Sequence, residues 1–306
     1  MSIGVVVITR NRKQRLLETL SQLRRLPGHP PVVLVDNGSS DGTCRAVYEQ
    51  HPWVRVLALG TNQGGAARNR GVRYLDTDLV AFCDDDSWWE PAALPIAERL
   101  LEAHPRLGLI AGRVLVEPEG RLDPLCDEMA ISALPPLAGL PGPRVLGFLA
   151  CAAVVRRQAF LEAGGFHPQL GVGGEEELLA FDLRARGWEL VYADSVVAHH
   201  FPERRAQGFR RRTELRNQLW VTWLRRPPAS AVRRTLALVV TNRPADAAAA
   251  LTSASRDWRW VARERHRLPP EVEHDIRLLE GPFAGIAPRP RWLRRPLADK
   301  RPQRMP

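Results

Sequence analysis

Three consecutive aspartates, Asp84, Asp85 and Asp86, stand at the end of the apolar run "VAFC" (Val80–Cys83). Like charges side by side repel, and a carboxylate withdrawn from water without a partner is costly, so something positive has to answer them. Carboxylates clustered at a strand end are hard oxygen ligands of the kind that hold Mg²⁺ or Mn²⁺, ions that bridge to a diphosphate. Past the strand end, the turn lets Asp84 and Asp86 approach one ligand. The plain alternative is a solvated acidic turn ahead of a helix start at Trp88–Ala92. Asp36 closes another apolar run, "PVVLVD", before the turn-rich "NGSSDGT". A carboxylate there accepts hydrogen bonds from a ribose or a base ring. An Asx-turn or a helix N-cap accounts for the neighbouring Ser40 and Asp41 equally well. In "TNQGGAARNRG" the pair Gly64-Gly65 precedes a helix with Arg68 and Asn69 in its first turn. A bare backbone at a helix N-terminus favours phosphate or a sugar hydroxyl. The spacing is neither GxGxxG nor a Walker A loop, which disfavours NAD and P-loop chemistry.

The elements that must position these groups alternate. "IGVVVIT" (Ile3–Thr9) reads as a buried strand, and the next segment places Leu16, Leu17, Leu20 and Leu23 on one helical face. Strands at "PVVLVD", "VRVLALG", "DLVAFCDDD" and Leu107–Val116 are separated by helical stretches, the last over Ala92–His104. Such alternation predicts an open, mostly parallel α/β sheet, whose ligands sit beyond the carboxyl ends of the strands. The polar clusters Thr9–Asn11, Asp36–Ser39, Gly60–Asn62 and Asp84–Asp86 all fall at those ends. Residues 117–145, rich in Pro and Gly, read as a long loop over the site. "GEEELLAFDLRARGW" reads as a helix with acids first and arginines last, as its dipole favours. "ELVYADSVVAHH" is a last strand and loop.

Composition bounds the rest. The chain has 306 residues, 44% hydrophobic and 25% charged, which suits one catalytic domain with an extension. The net charge of +10 is unevenly spread: residues 1–200 hold 20 basic and 24 acidic residues, residues 201–306 hold 24 and 10. A basic last third suggests a polyanionic neighbour or an arginine-rich composition with no further meaning. Nucleic-acid binding leaves the acidic strand ends unexplained, and no helix-turn-helix or RNP-type motif is present, so no nucleic-acid partner is expected. The four cysteines form no CxxC pair and read as small core residues in a reducing compartment. No signal peptide and no spanning segment is read, so a cytoplasmic location is expected. The domains expected are 1–201 catalytic, 202–280 a helical basic extension and 281–306 a flexible Pro/Arg-rich tail. In the extension, "FRRRTELRNQLWVTWLRRP" is a basic helix with Leu215, Leu219, Trp220 and Trp223 on its apolar side. That helix either docks on the core or lies peripherally on the anionic inner face of a cell membrane.

Taken in order, "VVVITRNR", "VVLVDNGSSDGT", "TNQGGAARNRG", "AFCDDDSWWEP", "LEAGGFHPQLGVGGEEELLAFDLRARGWELVYADSVVAHH" and "LRNQLWVTWLRRP" resemble family 2 inverting glycosyltransferases of bacterial type, which have the GT-A fold. The resemblance covers roughly residues 3–226. It implies a nucleoside-diphosphate sugar donor, UDP- or dTDP-sugars being favoured, an acceptor hydroxyl of an envelope glycan, lipid-linked sugar or secondary metabolite, and a divalent metal, Mn²⁺ or Mg²⁺. Carried residue by residue, it implies that Thr9, Arg10 and Asn11 line the nucleotide pocket and that Asp36 bonds the base. Asn62, Gly64, Gly65 and Arg68 would border base, ribose or diphosphate. Asp84 would meet ribose or sugar, Asp85 is the variable middle position of the DxD motif, and Asp86 is its metal ligand. His199 matches a histidine that contacts metal or diphosphate, with His200 one residue away. Counting back from Gly187 makes Glu176 the catalytic base, a Glu where Asp is commoner, flanked by Glu175 and Glu177. Acids at a helix start also stabilise a helix with no chemistry at all. A nucleotidyltransferase would carry a Gly-rich loop after strand one, which "ITRNRKQRL" lacks. A binding scaffold without activity would have lost the DxD motif or the base.

Overall fold

The computed structural model describes residues 1–202 and 207–281. Nine strands form one sheet: β1 Ile3–Thr9, β2 Val32–Asp36, β3 Arg55–Ala58, β4 Leu79–Asp84, β5 Ser87–Trp89, β6 Leu107–Val116, β7 Arg121–Leu122, β8 Ala153–Arg156 and β9 Glu189–His200. Their order is β3-β2-β1-β4-β8-β6-β9-β5, with β7 paired to β6. The helices are α1 Lys13–Leu23, α2 Thr43–Gln50, α3 Arg68–Tyr74, α4 Ala93–Ala103, α5 Pro124–Ala130, α6 Arg157–Glu162, α7 Glu175–Ala185, α8 Gln207–Arg225, α9 Pro228–Thr241, α10 Pro244–Arg256, α11 Trp258–Glu264 and α12 Pro270–Glu280.

The first four strands pair in parallel, as the apolar runs of β1, β2 and β4 suit: β1 pairs β2 and β4, and β2 pairs β3. β6 and β9 also pair in parallel, and short antiparallel pairings make the sheet as a whole mixed. β8 runs antiparallel between β4 and β6, and β5 runs antiparallel against β9. α4 begins at Ala93, close to the expected Ala92–His104, and Ser87–Trp89 ahead of it is strand β5, so the aspartates do not lead straight into a helix start at Trp88. Trp89, 2% exposed, belongs to the core, which explains the extended conformation. Residues 117–145 are not a bare loop; they hold β7 and α5, whose start Asp123 caps by accepting from the Leu125 N–H at 2.9 Å.

Helices α8, α11 and α12 pack on α7 through a second apolar cluster, and α9 and α10 join α8 through a third. Leu170, Leu178 and Phe181 share the second with Trp220, Val221, Leu224, Val261 and Val272. Buried ion pairs stitch the same seam. Arg225 grips Asp182 with two bonds of 2.6 and 2.8 Å, and Arg226 grips Glu273 with two of 2.9 and 3.0 Å. The apolar side of α8 is thus turned into the protein. Trp220 is buried and donates its indole N–H to Ala254 O, and Trp223 donates to Thr235 Oγ1, so neither is presented to a membrane. The Pro/Arg-rich tail lies, from residue 282 on, outside the described residues.

Candidate active site

The polar ends of β1, β2 and β4 meet at one edge, joined by a lattice of short hydrogen bonds. Asn37 ties three loops together. Its N–H donates to Thr9 O, its Nδ2 to Gly64 O, and its Oδ1 accepts from the Gln63 N–H. Asn11 joins the first loop to the second: its N–H donates to Ser39 Oγ at 2.9 Å and its Oδ1 accepts from the Ser40 N–H at 2.7 Å. It does so at φ 53°, a left-handed conformation that Asn tolerates. Arg10 is exposed at the rim, and Asn62 takes the Gly64 N–H.

Asp36 is 2% exposed. One carboxylate oxygen accepts from the Ser39 N–H at 3.0 Å, while Oδ1 is buried with no hydrogen-bond partner. The Cys44 thiol lies against this carboxylate. Burial, with the Asp36 charge adding to it, pushes that thiol up to about 11. A thiol is a weak donor, so Asp36 retains an acceptor for a ligand N–H or O–H.

The aspartate triplet has its positive partners within the chain. Arg12 Nη1 contacts Asp85 Oδ1 and lies 2.8 Å from Asp86 Oδ2. Asp85 also accepts from Thr9 Oγ1 at 2.9 Å, and its carbonyl accepts from Thr19 Oγ1. Burial pushes Asp85 up to about 7, Arg12 opposing and Asp86 and Asp84 adding to it. Asp86 feels the same burial, but hydrogen bonds and charge from His200 and Arg12 outweigh it and hold it below the usual carboxylate range. Asp84 pairs with Arg68 Nη2. Arg12 escaped the sequence reading, although it stands in the quoted "VVVITRNR".

The histidine assignment moves by one residue. Strand alternation sends His199 and His200 to opposite faces of β9. His199 stacks on Trp88 with ring centroids 5.2 Å apart and bonds Glu117 at 2.7 Å. His200 Nε2 lies 3.5 Å from Asp86 Oδ1. The residue beside the candidate metal ligand is His200, not His199.

Arg68 sits at the centre. It is 4% exposed, with its guanidinium 5.5 Å from the Phe166 ring centre and its Nε buried without a partner. Burial opposes its charge, and Asp84, Glu175 and Glu176 more than restore it. Next to it, Asn69 locks α3 onto Phe166 by two bonds of 2.8 and 2.9 Å.

The acidic start of α7 faces this arginine. Glu175 is buried, and burial, with Glu176 adding to it, pushes it up to about 8. Glu176 Oε1 accepts from the Ala150 N–H at 2.8 Å, which fixes its direction. Glu177 points to the seam with the C-terminal helices, where Arg234 and Arg226 oppose the burial that pushes it up to about 7. The loop before α7 is clamped twice. On one side the Gly65 N–H donates to Gly171 O at 2.6 Å, and a side chain on Gly64 would stand 2.6 Å from the Gly171 backbone. The glycine pair is therefore needed for close approach of two loops. On the other side Asn217 of α8, fully buried, sends Nδ2 to Leu170 O at 2.6 Å and Gly173 O at 2.5 Å.

A divalent cation fits this donor set. Asp86 and His200 supply an oxygen and a nitrogen 3.5 Å apart at the mouth of a loop cluster. Among the described residues no group of three or more metal-ligating side chains stands together. A cation here would complete its shell from a diphosphate, as ions held by one or two protein ligands do.

The glycosyl transferase family 2 signature matches residues 4–164. The chain belongs to that family. An N-acetylglucosaminyl-diphospho-decaprenol L-rhamnosyltransferase of Mycobacterium tuberculosis is 29% identical over 233 residues, covering 65% of this chain and 76% of the relative. Among solved structures, the mannosyltransferase PcManGT of Pyrobaculum calidifontis, in complex with GDP-Man and Mn²⁺, is 21% identical with a TM-score of 0.59, covering 83% of this chain and 75% of that one. S. aureus TarS 1-349 with UDP-GlcNAc is 18% identical with a TM-score of 0.56, covering 72% and 66%. These structural likenesses establish the GT-A-type fold.

Proposed function

We propose that this glycosyltransferase moves a sugar, with inversion, from a nucleoside-diphosphate sugar to an acceptor hydroxyl, with a divalent metal at Asp86 and His200. The observation that carries the reading is the meeting at Arg68 of two carboxylate sets, Asp84 from the end of β4 and Glu175–Glu176 from the start of α7. Asp36, with its unfilled buried oxygen, takes the base, and Asn11, Asn37 and Thr9 hold the loops that frame it. Asp84 takes the ribose or sugar. Glu176, oriented by the Ala150 N–H, takes the acceptor hydroxyl proton as that oxygen bonds the anomeric carbon. The bond to the diphosphate breaks, and its electron pair leaves with the diphosphate. A cation on Asp86 and His200 supplies charge neutralisation for that leaving group. Burial, with the Glu176 charge adding to it, pushes Glu175 up to about 8, which disfavours Glu175 as the base. The mycobacterial relative acts, by its name, on a diphospho-decaprenol-linked sugar, which supports a lipid-linked acceptor here.

The test is donor hydrolysis by the purified chain across UDP-, dTDP- and GDP-sugars, with Mn²⁺ or Mg²⁺ against EDTA. Release of one nucleoside diphosphate is expected, falling about 10²-fold or more in Asp86→Ala, in His200→Ala and in EDTA. His199→Ala should keep most of it. Turnover that survives EDTA and Asp86→Ala refutes the metal assignment. A loss in His199→Ala but not in His200→Ala reverses the histidines.

A further inference from the structure

The inner side of α9 buries Ala231, Ala237 and Leu238, as a docked helix must. Its outer side is apolar as well. Val232, Leu236, Val239 and Val240 are 48%, 60%, 36% and 76% exposed. The spacing i, i+4, i+7, i+8 puts all four on one face. Solvated helix faces are normally polar, and an exposed stripe of this kind marks a contact surface. Trp258, 46% exposed, extends it. Its ring meets Trp223 edge-on at 5.7 Å, and Trp223 in turn donates to Thr235, next to Leu236.

The rim of this surface is positive. Arg233 is exposed on α9 and Arg243 just beyond its end, and Arg256 and Arg259 lie two residues before and one after Trp258. Between Pro228 and Leu268 the chain holds eight arginines and three acids. Two of those acids are engaged, Asp246 with Arg212 at 2.9 Å and Glu264 with His167 at 2.7 Å.

We propose that the outer face of α9, with Trp258, docks on an anionic phospholipid surface. Charge decides the occupant. A second copy across a two-fold axis would bring one arginine rim against another. The chain's own residues 282–306 hold seven basic residues and one acid, so their charge does not complement the rim. A nucleic acid would satisfy the arginines and leave the valines and Leu236 without a partner. An anionic bilayer serves both. Headgroup phosphates take the guanidinium groups, the acyl boundary takes the stripe, and the indole sits between. α9 has 14 residues and lies flat; no helix among the described residues is long and apolar enough to cross a membrane. This docking does not depend on the transfer reaction.

The test is co-sedimentation of the full chain with vesicles of phosphatidylglycerol and phosphatidylethanolamine, against phosphatidylcholine alone. Binding to the anionic vesicles is expected, with roughly tenfold or greater loss in Leu236→Glu/Val240→Glu and a smaller, salt-sensitive loss in Arg233→Ala/Arg243→Ala. All four positions are exposed, so melting temperatures should match the parent; Leu236→Ser/Val240→Ser checks the apolar requirement without added charge. Equal binding of parent and all three double variants overturns the proposal, as does no sedimentation of the parent. A solution dimer dissolved by Leu236→Glu also overturns it, assigning the face to a second copy. Loss of binding on deleting 282–306, with Leu236→Glu/Val240→Glu unaffected, does the same.

Discussion

Replacing Glu175 by Gln should stabilise the protein by a margin that grows as pH rises from about 4.5 to about 8. The carboxyl is 4% exposed, Oε2 is buried without a hydrogen-bond partner, and Glu176 is its neighbour in sequence. Burial first and the Glu176 charge second raise it from 4.5 to about 8. A carboxyl that binds its proton more tightly when folded costs nothing below its unfolded value. Stability then falls as pH rises from about 4.5 through about 8, and is level above that. The full interval corresponds to about 5 kcal/mol. Relaxation of the loop and sharing of charge with Glu176 reduce that ceiling, so about 2–5 kcal/mol is expected from the substitution at pH 8.5. That is about 4–10 °C in Tm, against roughly no change at pH 4.5. Thermal denaturation of parent and Glu175→Gln across pH 4.5–8.5, without nucleotide, is the assay. Donor hydrolysis should stay within about tenfold of the parent, while Glu176→Gln should lose about 10²-fold or more. A Tm gain that is the same at both pH values refutes the burial argument. A larger activity loss in Glu175→Gln than in Glu176→Gln refutes the choice of base.

Asn217→Ala should lower kcat about 10- to 100-fold and move the donor KM less, because the amide holds the loop end that leads into Glu176, while Gly171 of that loop keeps its bond to Gly65. Steady-state kinetics on the identified donor check this, and an unchanged kcat would show that α8 supports the fold without aiming the base. Arg225→Ala strands the buried Asp182 carboxylate and should cost about 3–5 kcal/mol at pH 7, read by denaturant unfolding. The double variant Asp182→Leu/Arg225→Met should cost much less. Burial raises Asp182, but bonds from Arg225 and His266 outweigh it and hold it low. The contribution of the pair is therefore present above about pH 4 and disappears as pH falls through the lowered value; a parent whose stability is flat from pH 5 to pH 2 would contradict that sign.

What the sequence discloses here is what local pattern encodes. The runs Ile3–Thr9, Val32–Asp36 and Leu107–Val116 are strands at those bounds because nothing but burial on both faces suits them, and the polar residues that end the first two converge at the ligand edge. Three features were not legible, each because it depends on a partner distant in sequence. β5 is extended because Trp88 and Trp89 pair with His199 and Ala198, more than 100 residues on; the local "SWWEP" gives no period from which to read a strand. The choice between His199 and His200 is a question of strand parity, which register alone decides. Arg12 lies 73 and 74 residues from the aspartates it answers, in a stretch with other basic side chains that point elsewhere. The last case bears on mechanism. Three adjacent aspartates without partners would repel one another. Arg12 on Asp85 and on Asp86 Oδ2, with Arg68 on Asp84, relieves that repulsion, while Asp86 Oδ1 faces His200. The arginines thus make three adjacent carboxylates tolerable in the ligand-free fold, and on the function proposed above a cation would enter at Asp86 Oδ1 by replacing its contact with His200.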